Sequence, residues 1–113
     1  MNEPSATAQM RRGVVGPCVL AVLRSRAKYG LEIAQELTDA GLIAGTGTIY
    51  PVLSRLEATG LVVSRWSVED DSRPRRFYAL TDEGRTQIDE FRNEWSSFTK
   101  TVSMVLDSEE MSR

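Results

Sequence analysis

Apolar residues recur along this chain first at helical spacing, then in alternation, then at helical spacing again. Residues 14–27, VVGPCVLAVLRSRA, carry the first stripe. Pro17 within it must fall in a first turn or kink the helix, since proline lacks the N–H that a helix interior needs. Tyr29-Gly30 breaks the pattern. A second helix follows in LEIAQELTDAG, with Leu31, Ile33, Ala34 and Leu37 on one face and Gly41 as its stop. Leu42-Ile43-Ala44 is a short apolar link. The third helix lies in GTGTIYPVLSRLEATG, residues 45–60, where Ile49, Val52, Leu53 and Leu56 follow the i, i+3, i+4, i+7 rule and Gly60 ends the run. LVVSRWSVE then reads as a strand, DDSRP as a turn, and RRFYALT as a second strand, so that a two-stranded hairpin is expected. Thr81 is a good N-cap, with Asp82 and Glu83 suited to a helix N-terminus, and a fourth helix is expected over residues 82–106.

Three short helices followed by a hairpin is the order of a winged helix-turn-helix. The expected fold is therefore mainly α with a β-hairpin, a winged helix-turn-helix carrying a long C-terminal helix. Residues 1–12, MNEPSATAQMRR, are expected to be a disordered arm. Residues 13–81 form the winged domain, 82–106 the terminal helix, and 107–113 a disordered tail.

Composition narrows the function. The chain has 113 residues and no histidine, which excludes His-built zinc sites, His-based triads and histidine proton switches. Cys18 is the only cysteine, so no intrachain disulfide forms; its apolar neighbours suggest a small core residue. No motif pairs a nucleophile with a base, so the chain is not expected to be an enzyme or to need a cofactor or a metal. No apolar run approaches the roughly 20 residues of a membrane span, and a cytoplasmic location is expected. The net charge of −2 argues mildly against nucleic acid, yet the acidity lies in the C-terminal third, and residues 1–80 are slightly basic.

The third helix begins with residues that helix propensity alone would not select: two glycines, two threonines and a proline. Such a start suits a helix end built to touch a ligand. Glycine lets a backbone N–H face a phosphate, threonine offers a hydroxyl and a methyl, and proline in a first turn costs little. A tight turn at Gly45 and Gly47 is the plainer alternative. Tyr50, Ser54 and Arg55 lie on the face opposite the apolar stripe, with Thr46 and Thr48 at its N-terminal end.

GTIYPVLSRLEATGLV, the tryptophan that follows it, RPRRFYALTDEG, and YGLEI in the second helix together resemble the PadR family of bacterial transcriptional regulators, over roughly residues 11–106. The short C-terminal region resembles the family's smaller branch, with one terminal helix. The resemblance implies a homodimer that binds a palindromic operator in double-stranded DNA, usually as a repressor. It implies contacts from Thr46, Thr48, Tyr50, Ser54 and Arg55 on the third helix, from Lys28 and Tyr29 at the start of the second, and from Arg73, Arg75 and Arg76 on the wing. RPRR also reads as a solvated edge that deters strand pairing. Glu69, Asp70 and Asp71 near the wing tip depart from a phosphate-binding surface. They favour the alternative of a winged module that contacts protein and lacks DNA affinity.

The fourth helix carries Ile88, Phe91, Trp95, Phe98, Val102 and Val105 at alternating spacings of three and four, a heptad seam. At ~1.5 Å per residue this helix is about 35 Å long, more than a small winged domain covers. A second subunit is the economical partner for the remainder. Val14 and Val15 of the first helix are expected to share that interface. In the family's smaller branch a tryptophan at this place lines a hydrophobic slot between subunits that takes flat aromatic compounds. Two readings of Trp95 stand: an effector site with Phe91 and Phe98, or a plain interface anchor.

Overall fold

The computed structural model describes residues 5–68 and 73–109. Its elements run α1 (Ala6–Val22), β1 (Lys28–Tyr29), α2 (Gly30–Asp39), a 3₁₀ turn (Thr46–Thr48), α3 (Ile49–Ala58), β2 (Val62–Ser67), β3 (Arg75–Leu80) and α4 (Asp82–Asp107). This is a winged helix-turn-helix, mainly helical, with a long terminal helix.

Each helix end has a local cause. The Ser5 side chain caps α1 by accepting from the Ala8 N–H at 3.1 Å. Both α2 and α3 stop at a glycine in the left-handed region, Gly41 and Gly60, each with φ near +80°. Beyond each glycine the next N–H reaches back to the last turn: Leu42 to the Leu37 carbonyl and Leu61 to the Leu56 carbonyl, both 2.9 Å. Thr81 caps α4 by accepting from the Gly84 N–H at 3.0 Å, and its hydroxyl donates to the Gly60 carbonyl at 2.8 Å. One side chain thus starts α4 and ties it to the end of α3.

The core takes Val19, Leu20 and Leu23 from α1, Ile33, Ala34 and Leu37 from α2, and Ile49, Leu53 and Leu56 from α3. Ile43, Val62, Tyr78 and Ile88 close it. The apolar stripe of α3 therefore lies where its spacing puts it.

Four expectations need correction. First, the helix expected to open near Val14 begins at Ala6, so residues 6–12 are helical rather than a disordered arm. The run ATAQMRR is rich in good helix formers, although it lacks an apolar stripe. The Arg11 Nε also donates to the Gly41 carbonyl at 3.0 Å, tying this extension to the end of α2. Second, Pro17 sits well inside α1, not in its first turn, and that helix ends at Val22, short of residue 27. Third, the wing has three strands, ordered β1-β3-β2 and antiparallel throughout. Lys28 pairs with Tyr78 and Tyr29 with Phe77, along the edge of β3 that β2 leaves open. A two-residue strand is too short for any period to reveal. Fourth, Leu31 is 53% exposed. Two residues from Ile33 is about 200° around a helix, so the two cannot share a buried face. The expected turn at DDS, the acids Glu69, Asp70 and Asp71, and the outer parts of the arm and tail (1–4 and 110–113) lie outside the described residues.

Past Phe91, α4 leaves the domain. Its 26 residues span about 39 Å at ~1.5 Å per residue. The whole molecule measures 64 × 38 × 22 Å along its principal axes.

Candidate nucleic-acid interface

The N-terminal end of α3 is entered through the 3₁₀ turn, so Thr46 and Thr48 belong to that turn and not to the α-helix. The Thr48 hydroxyl donates to the Gly45 carbonyl at 3.0 Å. Its proton is spent inside the turn, which leaves the oxygen lone pairs and the methyl group for a partner. Ile49 is the first residue of α3, and Pro51 falls within the first turn, where a missing N–H loses nothing. Thr46, Thr48, Tyr50 and Ser54 are all exposed and lie on one side, with Ile49 and Leu53 buried on the other. Tyr50 keeps 46% of its surface open, and its ring rests against Gly30 at the start of α2. Arg55 lies further round the helix. Its Nη2 is 3.6 Å from where a Cβ on Gly16 would be, so it leans toward α1 and away from Tyr50.

The expected contributors from the start of the second helix are drawn into the fold. Lys28 is 6% exposed, and its Nζ lies 2.7 Å from the Glu36 carboxylate. An ammonium this buried is held by its partner and is not offered to DNA. Tyr29 is half-buried: its ring packs on Phe77 at 4.8 Å and its hydroxyl is 3.3 Å from the Ser67 hydroxyl. Its backbone N–H donates to Glu32 at 3.0 Å. Glu32 also accepts from Arg26 at 2.7 Å, and these two hydrogen bonds, Arg26 first, hold its carboxyl below the usual range.

Strand alternation sends Arg75 and Arg76 to opposite faces of the wing. Arg75 lies on the face with Tyr29, its guanidinium 4.0 Å above that ring. Arg65 sits over Phe77 at 5.2 Å on the same face. Arg76 turns to the α3 side, over the Trp66 ring at 4.8 Å, and donates to the Ser64 hydroxyl at 3.1 Å. Ser64 in turn donates to Glu57 on α3 at 2.7 Å. The chain Arg76–Ser64–Glu57 ties the wing to α3. Arg73, just before β3, is exposed.

Along α4, Ile88 is buried in the domain core and Phe91 is half-buried, stacked on Trp95 at 5.9 Å with 22° between the ring planes. Beyond them Trp95, Phe98, Val102 and Val105 are exposed, Phe98 at 63%. Two grooves flank this row against α1. One, of about 480 Å³, takes Met10, Val14, Cys18, Phe91 and Trp95 into its walls. The other, of about 820 Å³, is walled by Val14, Trp95, Phe98 and Val102. Val14 thus faces the exposed row, whereas Val15, expected beside it, is partly buried against the core cluster. The reason is spacing: Val15 shares the i, i+4 row of Val19 and Leu23. Cys18 packs on the core from a half-buried position, and that burial raises its thiol pKa.

The sequence matches the model of the "Transcriptional regulator PadR-like family" over residues 19–90. The chain belongs to the PadR-like family. It is a transcriptional regulator of that family and not an enzyme. It is 35% identical over 94 residues to "Transcriptional regulator Rv3488" of Mycobacterium tuberculosis, covering 83% of this chain and 87% of that one. Its fold is similar to the crystal structure of a PadR family regulator from Eggerthella lenta, with a TM-score of 0.81, 34% identity and 88% of each chain covered. It is also similar to Bacillus subtilis PadR crystallised in complex with operator DNA, with a TM-score of 0.63 and 25% identity, covering 69% of this chain and 46% of that one. Among the described residues, no helix is long and apolar enough to cross a membrane.

For a PadR-like chain, the structure sets Thr46, Thr48 and Tyr50 at the N-terminal end of α3, with Ser54 one turn further along, and leaves Arg73 and Arg75 exposed at the wing. It removes Lys28, binds Tyr29 and Arg76 internally, and turns Arg55 toward α1. Trp66, 61% exposed beneath Arg76, was part of the family motif but carried no assigned role. Ser64, Glu57 and Gly30 had no sequence signal beyond ordinary strand, helix and turn positions; their roles arise only from contact.

Proposed function

We propose that this chain works as a homodimer that binds a palindromic operator, with the N-terminal end of α3 in the major groove and the wing against the backbone. The observation that carries this reading is the exposed group Thr46, Thr48 and Tyr50 at the N-terminal end of α3, continued by Ser54 one turn on, on a helix that buries Ile49, Leu53 and Leu56. Recognition helices of this motif meet base edges with their N-terminal residues. The PadR relative crystallised in complex with operator DNA supports a DNA partner for this chain. Arg73 and Arg75 add phosphate contacts from the wing.

Dimerisation is supported by the row from Trp95 to Val105, an apolar seam that the described residues leave largely exposed. A dimer joined there presents two α3 helices, which is what a palindromic operator with half-sites roughly 34–36 Å apart on one face of the duplex requires. The proposed mode is repression, relieved by a flat aromatic effector held by Phe91, Trp95 and Phe98 beside the 820 Å³ groove. Such an effector shifts the equilibrium by its preference for one spacing of the two domains over the other.

The test is an electrophoretic shift with the duplex upstream of the protein's own gene and a random duplex, at two salt concentrations. The expected result is a specific shift that weakens as salt rises. A genome-wide pull-down that recovers no preferred duplex overturns the operator reading and leaves the protein-contact module.

A further inference from the structure

We infer that Gly30 is a positioning residue for operator recognition: its missing side chain is the seat that sets the pose of the Tyr50 ring. The inference rests on the assignment of Tyr50 to the operator made above.

Gly30 opens α2 and is buried. Its backbone does not call for glycine, since among the described residues the positive-φ glycines are Gly41 and Gly60. A glycine within a helix is also a poor choice by propensity. The demand comes from across the motif. A Cβ on Gly30 would lie 2.9 Å from the Tyr50 Cε1, 3.5 Å from its hydroxyl oxygen and 3.6 Å from its Cζ. The first distance is well inside van der Waals contact, so the methyl group and the ring cannot share this arrangement.

The neighbour that must give way decides the consequence. It is the far end of a half-exposed side chain, not backbone or core, so the ring swings outward and the fold stays. Gly30→Ala therefore alters pose rather than packing. A ring held against α2 enters a groove already oriented, whereas a ring without its seat must be ordered on binding. The two helices of the motif are thus coupled through this contact: the first helix supplies the wall that aims a side chain of the second.

A double-mutant cycle tests this, with the full chain and an operator duplex identified by the shift assay. Affinity and thermal midpoint are measured for the parent, Gly30→Ala, Tyr50→Ala and the double variant. Gly30→Ala is expected to weaken operator binding about three- to tenfold, with an unchanged or raised midpoint, and to add no further loss in the Tyr50→Ala background. An equal loss in both backgrounds, or a lowered midpoint, overturns the inference by making Gly30 a structural residue. A Tyr50→Ala loss without any Gly30→Ala loss overturns the inference alone. Unchanged affinity in Tyr50→Ala overturns the operator role of Tyr50 and this inference with it.

Discussion

Leu53 and Val102 sit on apolar stripes of the same kind, each with partners three and four residues away, yet the folded chain treats them differently. Leu53 is wholly buried in the core cluster, while Val102, on the outer part of α4, keeps 37% of its surface exposed. Spacing shows that a face wants to be covered. It does not say which surface covers it. In α3 the cover comes from the same chain; in the outer half of α4 the described residues leave most of the row exposed, with only α1 alongside it.

The largest effects come from exchanging the two kinds of site. Leu53→Ala opens a cavity in the core and should cost about 2–5 kcal/mol, read as a lower denaturant midpoint. Val102→Asp should instead act on the proposed dimer: light scattering is expected to show a monomer at concentrations where the parent is expected to pair. Circular dichroism should still report a folded winged domain. A Val102→Asp protein of unchanged mass would break the comparison, because the seam would then have some other partner.

Smaller effects sharpen it from within the winged domain. Ser64→Ala removes the hydroxyl that links Arg76 to Glu57 and should cost about 1 kcal/mol, the usual net worth of a hydrogen bond. Its effect on operator affinity should match that of Glu57→Ala, since both remove the hydrogen bond that links the wing to α3. If Arg76→Ala alone flattens the salt dependence of binding, then Arg76 reaches phosphate and the link to α3 is secondary.

The smallest effect lies at the surface pair Arg26–Glu32. The Glu32 carboxyl titrates below its ordinary value, so its contribution is present above the unfolded pKa and is lost as pH falls through the folded one. Chemical unfolding of the parent should therefore lose stability toward acid slightly faster than that of Glu32→Gln. Both side chains are well exposed, which keeps the difference small.

The legible part of this protein was its periodic part. The stripe of α3, the two longer strands, the Thr81 cap and the stops at Gly41 and Gly60 all depend on neighbours close in sequence, and all stand where the residues predict. The family motif is of the same sort, a contiguous run of α3 and wing residues. The α1 extension escaped notice because propensity without an apolar stripe leaves no period, and β1 because two residues cannot show one.

Among the candidate site residues, sequence determined which side chains have the right chemistry, and tertiary structure decided which are at liberty to use it. Lys28 and Arg73 are both cations near a turn, and nothing local separates them. Folding buries the Lys28 stem and pairs its ammonium with the half-exposed Glu36, eight residues on, while Arg73 stays exposed. Arg75 and Arg76 are adjacent, and the pleat sends one to Tyr29 and the other to Ser64 and Trp66. Burial and pairing are set by residues distant in the chain, and the free energy of a charge depends on that environment more than on its own chemistry.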